Sequence, residues 1–197
     1  MRRREFIVGL AGAAAWPLAV QAQQPALPII GYLNGGSEST SARSTATAAF
    51  RQGLSEQGYV EGRNVEILYQ WASGRYDRLP GLAANLVRHR VSVIVASGGG
   101  TPAALAAKSA TATIPIVFAI GTDPVGVGLV ASLNHPGGNV TGVTFLRQSL
   151  TAKRLELLHE VVPAATSIAF LVDPMNYDPD ANIREAQNAA DALGVRR

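Results

Sequence analysis

There is no cysteine among the 197 residues. That excludes a disulfide framework, a thiolate metal site and a cysteine nucleophile together. Aromatic residues make up only 6% of the chain, too few to suggest a surface that stacks nucleic-acid bases. Charged residues are 16%, too few for a disordered chain kept in solution by its charge. The three histidines, His89, His135 and His159, are far apart and lack metal-ligand spacing. What is present is 47% hydrophobic side chain with 20 glycines and 11 prolines. At roughly 100–200 residues per domain, this length holds one full domain and part of a second.

The positive charge sits largely at the start. Arg2, Arg3 and Arg4 precede an apolar or small stretch from Phe6 to Val20, and Val20-Gln21-Ala22 offers small residues where a signal peptidase reads. Residues 1–22 are therefore expected to be a secretory signal. Arg3-Arg4-Glu5-Phe6-Ile7 resembles a twin-arginine signal, which would export a folded protein. An ordinary secretion signal or a retained anchor is the other reading, although the run is shorter than the ~20 residues of a membrane helix. Residues 1–22 hold three Arg and one Glu, so without them the net charge of +3 falls to +1. A nearly neutral chain gives no reason to expect a nucleic-acid partner.

From Pro28 onward, strand and helix signals alternate. Strands are predicted over 28–33, around Val65, Ile67 and Tyr69, and over 91–96, 114–120 and 140–145. Helices are predicted from Ser41 to Gln57, with Ala46, Ala49, Phe50 and Leu54 on one face, and over 79–87 with Asp77 as a cap. Thr101-Pro102 and Asp123-Pro124 each join a capping residue to a first-turn proline. They predict helices to Ala110 and over 125–133. The strands are nearly all apolar, which predicts an α/β sandwich whose parallel sheet is buried on both faces. Three polar glycine-rich segments should share the carboxyl edge of that sheet, where ligands bind in such folds. They are Asn34-Gly35-Gly36-Ser37, Ser97-Gly98-Gly99-Gly100-Thr101 and Gly121-Thr122-Asp123.

Past Phe145 the pattern restarts. A helix is predicted from Ser149 or Thr151 through Val161, a strand over 168–172, and a helix from Asp178-Pro179 to Gly194. This divides the chain into a leader (1–22), a first α/β lobe (23–145) and an incomplete second lobe (146–197). One strand and two helices cannot close a sheet, so the second lobe is expected to be cut short.

Several stretches then resemble one family. They are the twin-arginine-like leader, Ile29-Ile30-Gly31-Tyr32-Leu33-Asn34, Phe50-Arg51-Gln52-Gly53-Leu54 with Gly58-Tyr59-Val60-Glu61-Gly62, and Ala96-Ser97-Gly98-Gly99. The most specific runs from Thr122-Asp123-Pro124-Val125 to Asn134-His135-Pro136-Gly137-Gly138-Asn139-Val140-Thr141-Gly142. Together they resemble ABC transporter substrate-binding proteins of the tryptophan/tyrosine-permease type. The resemblance implies the type I periplasmic-binding-protein fold, a periplasmic location and an interlobe cleft. The cleft would hold a small molecule such as an amino acid for delivery to the membrane subunits of an ABC permease. A ligand-sensing module on the same fold, or a fragment that binds nothing, is the alternative.

Within that frame, binding without reaction needs donors and acceptors. Ser97, Thr101 and Thr122, with the backbone at Gly98, would donate to a carboxylate at a helix start. Asp123 would accept from an ammonium group or only cap its helix. Asn34 and Ser37 would reach the same cleft or remain turn residues. Asp173 and Asn176 would contact the ligand from across it. Tyr32 would stack on a ligand ring or pack in the core, and Arg147 would sit near the hinge or on a solvated loop. No cofactor and no metal are expected.

Enzyme signatures are weak. Gly126-Val127-Gly128-Leu129-Val130-Ala131 matches a dinucleotide fingerprint but does not fall at a strand-to-helix turn. Ser97–Thr101 lacks the Lys-Ser/Thr of a phosphate loop, and no Gly-x-Ser-x-Gly elbow occurs.

Overall fold

The computed structural model describes residues 27–41, 44–145, 150–172 and 179–194. The leader, Arg147, Asp173 and Asn176 lie outside the described residues. Five strands form one sheet: β1 (Ile29–Asn34), β2 (Glu66–Trp71), β3 (Val93–Ser97), β4 (Ile116–Ile120) and β5 (Val140–Thr144). Their order is β2-β1-β3-β4-β5 and every neighbouring pair is parallel. The chain builds outward from β1 to one side, then to the other. The reversal of strand order therefore falls between β1 and β3, and in sheets of this kind ligands bind near that point, at the carboxyl ends of the strands.

The helices are α1 (Glu38–Ser41), α2 (Thr45–Glu56), α3 (Leu79–Arg88), α4 (Thr101–Ala110), α5 (Thr151–Val161) and α6 (Pro179–Ala192). Side chains alternate across the pleat. Leu33, Ile94, Ala96, Ile116, Phe118 and Ile120 point to one face, where Leu79, Ala83 and Leu86 of α3 and Ala103, Ala104 and Ala107 of α4 bury them. The alanines of α4 bring that helix close to the strands. Ile30, Tyr32 and Ile67 point to the other face, where Phe50 and Leu54 of α2 cover them. Each fully buried Leu or Ile contributes about 1.5–3 kcal/mol of transfer free energy. A separate cluster joins Leu155 of α5 to Ala186 and Ala189 of α6.

Five expectations change. First, the helix predicted from Ser41 starts at Thr45. Ser44 caps it, its hydroxyl accepting from the Thr47 amide at 3.3 Å. Thr47 is buried while Ala46 and Ala49 face solvent. Second, Asp77 does not cap α3. It lies in a short 3-10 turn, Tyr76–Arg78, and pairs with Arg75 at 3.0 Å. Third, residues 125–133 are turns. The Leu129 and Val130 amides both reach back to the Pro124 carbonyl, and Gly128 has φ +70, which ends helical geometry. Fourth, residues 168–172 are not a strand. A strand needs a hydrogen-bonding neighbour, none of the described strands runs beside this segment, and Leu171 is 98% exposed. Fifth, burial on both sheet faces holds over β1, β2 and β3, where Val93 and Val95 pack on the α2 side, and fails over β4 and β5. The α2 helix does not reach the far strands, so Val117 and Val143 remain exposed.

Candidate ligand-binding site

The three glycine-rich segments converge as the parallel order requires. The Gly35 amide donates to the Gly98 carbonyl at 3.0 Å, tying the end of β1 to the end of β3. Gly98, Gly99 and Gly100 follow with φ of +77, +77 and +71. At Gly99 the left-handed backbone passes directly against Gly35, and a Cβ on Gly35 would stand 2.8 Å from the Gly99 Cα. Only glycine fits both requirements. This tight path delivers the chain to α4, whose N-cap is Gly100, with no side-chain cap and no acidic residue in its first turn. The helix start thus presents uncapped N–H groups and partial positive charge to the crevice.

Thr101 is 1% exposed, and its hydroxyl lies 2.6 Å from that of Thr122 on the loop after β4. Thr144 at the end of β5 donates to the Thr122 carbonyl at 2.7 Å, which fixes that loop. These ties turn three strand ends into one wall. The wall borders a cavity of about 580 Å³ and supplies Tyr76, Gly99, Gly100, Thr101, Gly121 and Thr122. The opposite wall comes from Thr151, Arg154, Leu155 and Leu158 of α5, Ile168 and Phe170 after it, and Asn182 of α6. A volume of this order suits a small molecule, with a few polar groups set among apolar ones.

Of the residues singled out from sequence, Thr101 and Thr122 line this cavity. Asn34 is 2% exposed and lies beneath the wall, its Oδ1 accepting from the Gly36 amide at 2.7 Å. It shapes the first loop from inside. The Ser37 hydroxyl bonds locally to Thr40 at 2.8 Å. Ser97 ends β3 beside Ala119, and Gly98 serves through its carbonyl to Gly35. Asp123 accepts from the Val125 amide at 3.0 Å and stays outside the cavity lining. Tyr32 is fully buried, its hydroxyl 3.1 Å from that of Thr47, and so belongs to the core. Tyr76 and Arg154 were not singled out from sequence. Tyr76 sits between Arg75 and Asp77, whose pairing holds the Asp77 carboxyl below its ordinary range. Both side chains are well exposed, so that pair contributes little.

A cavity at the carboxyl edge of a doubly wound sheet, beside an uncapped helix start, is a binding geometry. Residues 39–196 match the family of ABC transporter substrate binding proteins. The chain belongs to that family. It is 36% identical over 126 residues to a tyrosine-binding protein of Clostridioides difficile (strain R20291), an alignment covering 64% of this chain and 35% of that one. Among solved structures, it is similar to a conserved domain protein of Vibrio cholerae (34% identity, TM-score 0.72). It is also similar to an ABC domain from Streptococcus pneumonia in complex with L-Trp (27% identity, TM-score 0.69). Each of these alignments covers 86% of this chain and 55% of the other. The chain therefore spans little more than half the length of these solved relatives, and about a third of the curated one. Its fold is that of the type I periplasmic binding proteins. The family is one of solute-binding proteins. No helix among the described residues is long and apolar enough to cross a membrane.

Proposed function

We propose that this chain is the extracytoplasmic solute-binding component of an ABC uptake transporter, and that its ligand occupies the cavity between the Gly99–Thr101 edge and α5. The observation that carries the reading is the convergence of Thr101, Thr122 and the α4 start on one cavity of about 580 Å³. On this reading residues 1–22 are an export signal, 23–145 the first lobe and 146–197 the start of a second. The α4 amides and the one hydroxyl of the Thr101–Thr122 pair whose proton is not used within the pair receive a carboxylate, and the ligand is an amino acid or a related small acid. The relatives named for tyrosine and in complex with L-Trp support an aromatic one. The reading adds Asp173 and Asn176 as further ligand contacts. Ligand bonds to both sides favour the closed arrangement, which a permease recognises, and no bond of the ligand is broken.

The test is a thermal-shift screen of the chain against amino acids and small carboxylic acids. A ligand at a hundred times its Kd stabilises by about 2.7 kcal/mol. The reading expects at least one compound to raise the melting temperature in proportion to its concentration. A cooperative melt unmoved by the whole panel contradicts it.

A further inference from the structure

Resting on that binding reading, we infer that Tyr76 receives the ligand's side chain and selects a flat aromatic ring over a saturated one of the same size. Tyr76 opens the short 3-10 turn, Tyr76–Arg78, between β2 and α3. Backbone bonds tie the loop that carries it to the end of β1. The Ala72 amide donates to the Asn34 carbonyl at 2.9 Å, Ser73 to Gly36 at 2.9 Å and Gly74 to Gly35 at 2.8 Å. Ser73 holds this path with a φ of 56°, in the left-handed region that residues with a side chain seldom adopt. Such a conformation persists only where its surroundings over-determine it. The loop is therefore a fixed mount for Tyr76.

The ring lies flush on the strand-end backbone. A Cβ on Gly35 would stand 2.8 Å from Tyr76 Cε1 and 2.8 Å from the Gly99 Cα. Glycine at position 35 thus lets the ring edge, the β1 loop and the β3 loop meet at one point. Tyr76 is half-buried, packing on the sheet core and lining the cavity. Gly99, across Gly35 from the ring, leads directly into the α4 start, so the ring stands beside the end of the cavity that receives a carboxylate. Leu158 and Phe170 line the opposite wall, both apolar and each close to half exposed. Burial against such surfaces favours an aromatic and a saturated ring alike. Stacked or edge-to-face contact with the Tyr76 ring favours the aromatic one alone. The ligand class is thus an amino acid whose side chain carries an aromatic ring, and Tyr76 is the residue that reads it.

L-Phenylalanine and L-cyclohexylalanine share their charged groups and ring size and differ in whether the ring is aromatic. Calorimetric titration of the chain should give L-phenylalanine a Kd roughly threefold to tenfold below that of L-cyclohexylalanine. Tyr76→Leu keeps an apolar side chain on the same loop and should bring the two Kd values to within about twofold of each other. Tyr76→Phe keeps the ring and should preserve the preference. In the parent, saturation with L-phenylalanine should shift the Tyr76 ring-proton resonances further than saturation with L-cyclohexylalanine, a ring-current effect that a purely structural role does not produce. Equal Kd values in the parent overturn the inference and leave the binding reading standing. So does a Tyr76→Leu variant that keeps the preference or weakens both ligands equally, and so does a Tyr76→Phe variant that loses the preference. If neither compound binds, the inference falls, and the wider panel decides whether the binding reading falls with it.

Discussion

The hydroxyls of Thr101 and Thr122 lie 2.6 Å apart, joining the first residue of α4 to the loop that leaves β4. The two strand ends are adjacent in the sheet, and this bond makes their loops one surface. Thr101 is buried, so replacing it with the near-isosteric Val leaves Thr122 without that partner. We expect Thr101→Val to cost about 1 kcal/mol in urea denaturation. Thr122→Val should cost a similar amount, and the double variant should fall short of the sum by at least about 0.5 kcal/mol. Strict additivity would show that the two side chains do not hold the loops together.

The run of left-handed glycines makes a sharper demand. Gly99→Ala places a Cβ against the Gly35 backbone at a φ that L-residues avoid. Strain of this kind costs about 1–2 kcal/mol before the collision is counted, so we expect a loss of at least 2 kcal/mol, roughly, by the same measurement. Gly53→Ala is the control. It lies inside α2 with nothing within 4 Å of the new methyl, so it should gain about 0.5–1 kcal/mol. Equal effects at the two positions would contradict the tight packing of the first and third strand ends.

On the sheet face away from α3 and α4, Tyr69 stacks on Trp71 at 5.6 Å between ring centroids, and Arg51 Nε donates to its hydroxyl at 2.8 Å. Burial raises the Tyr69 phenol above its ordinary value, outweighing the opposing pull of the Arg51 hydrogen bond. The neutral form is therefore favoured in the folded state. As pH rises past about 10, the unfolded chain releases this proton first. Stability from this group is complete below that point and falls with further rise in pH. Urea denaturation of the parent at pH 8.5 and 10.5 should show this loss. Tyr69→Phe should show a smaller loss over the same interval; an unchanged pH slope would remove Tyr69 as its source.

What the sequence made legible follows from how local each signal is. The apolar runs of β1, β3 and β4 and the Thr101-Pro102 start of α4 need only neighbouring residues to be read, and they appear as expected. Asp123-Pro124 carries the same local signal but opens turns, because Gly126 and Gly128 do not sustain the helix that Ala103, Ala104 and Ala107 allow after Pro102. Asn34 shows a second limit. A polar residue at a strand end reads alike whether it faces a ligand or its own loop, and here the Gly36 amide takes it. Tyr76 and Arg154 meet only through the folded chain, 78 positions apart, so no local pattern joins them to Thr101.

The central claim is that the cavity at the ends of β3 and β4 is where this chain takes its ligand. Amide chemical-shift mapping during titration with the aromatic amino acids L-tyrosine and L-tryptophan tests it most directly. The account predicts saturable shifts concentrated at Gly99, Gly100, Thr101, Gly121 and Thr122, with Tyr76 and the first turns of α5 moving in step. Shifts confined to the Tyr69–Trp71 face, or no saturable shift at the strand ends, would contradict it.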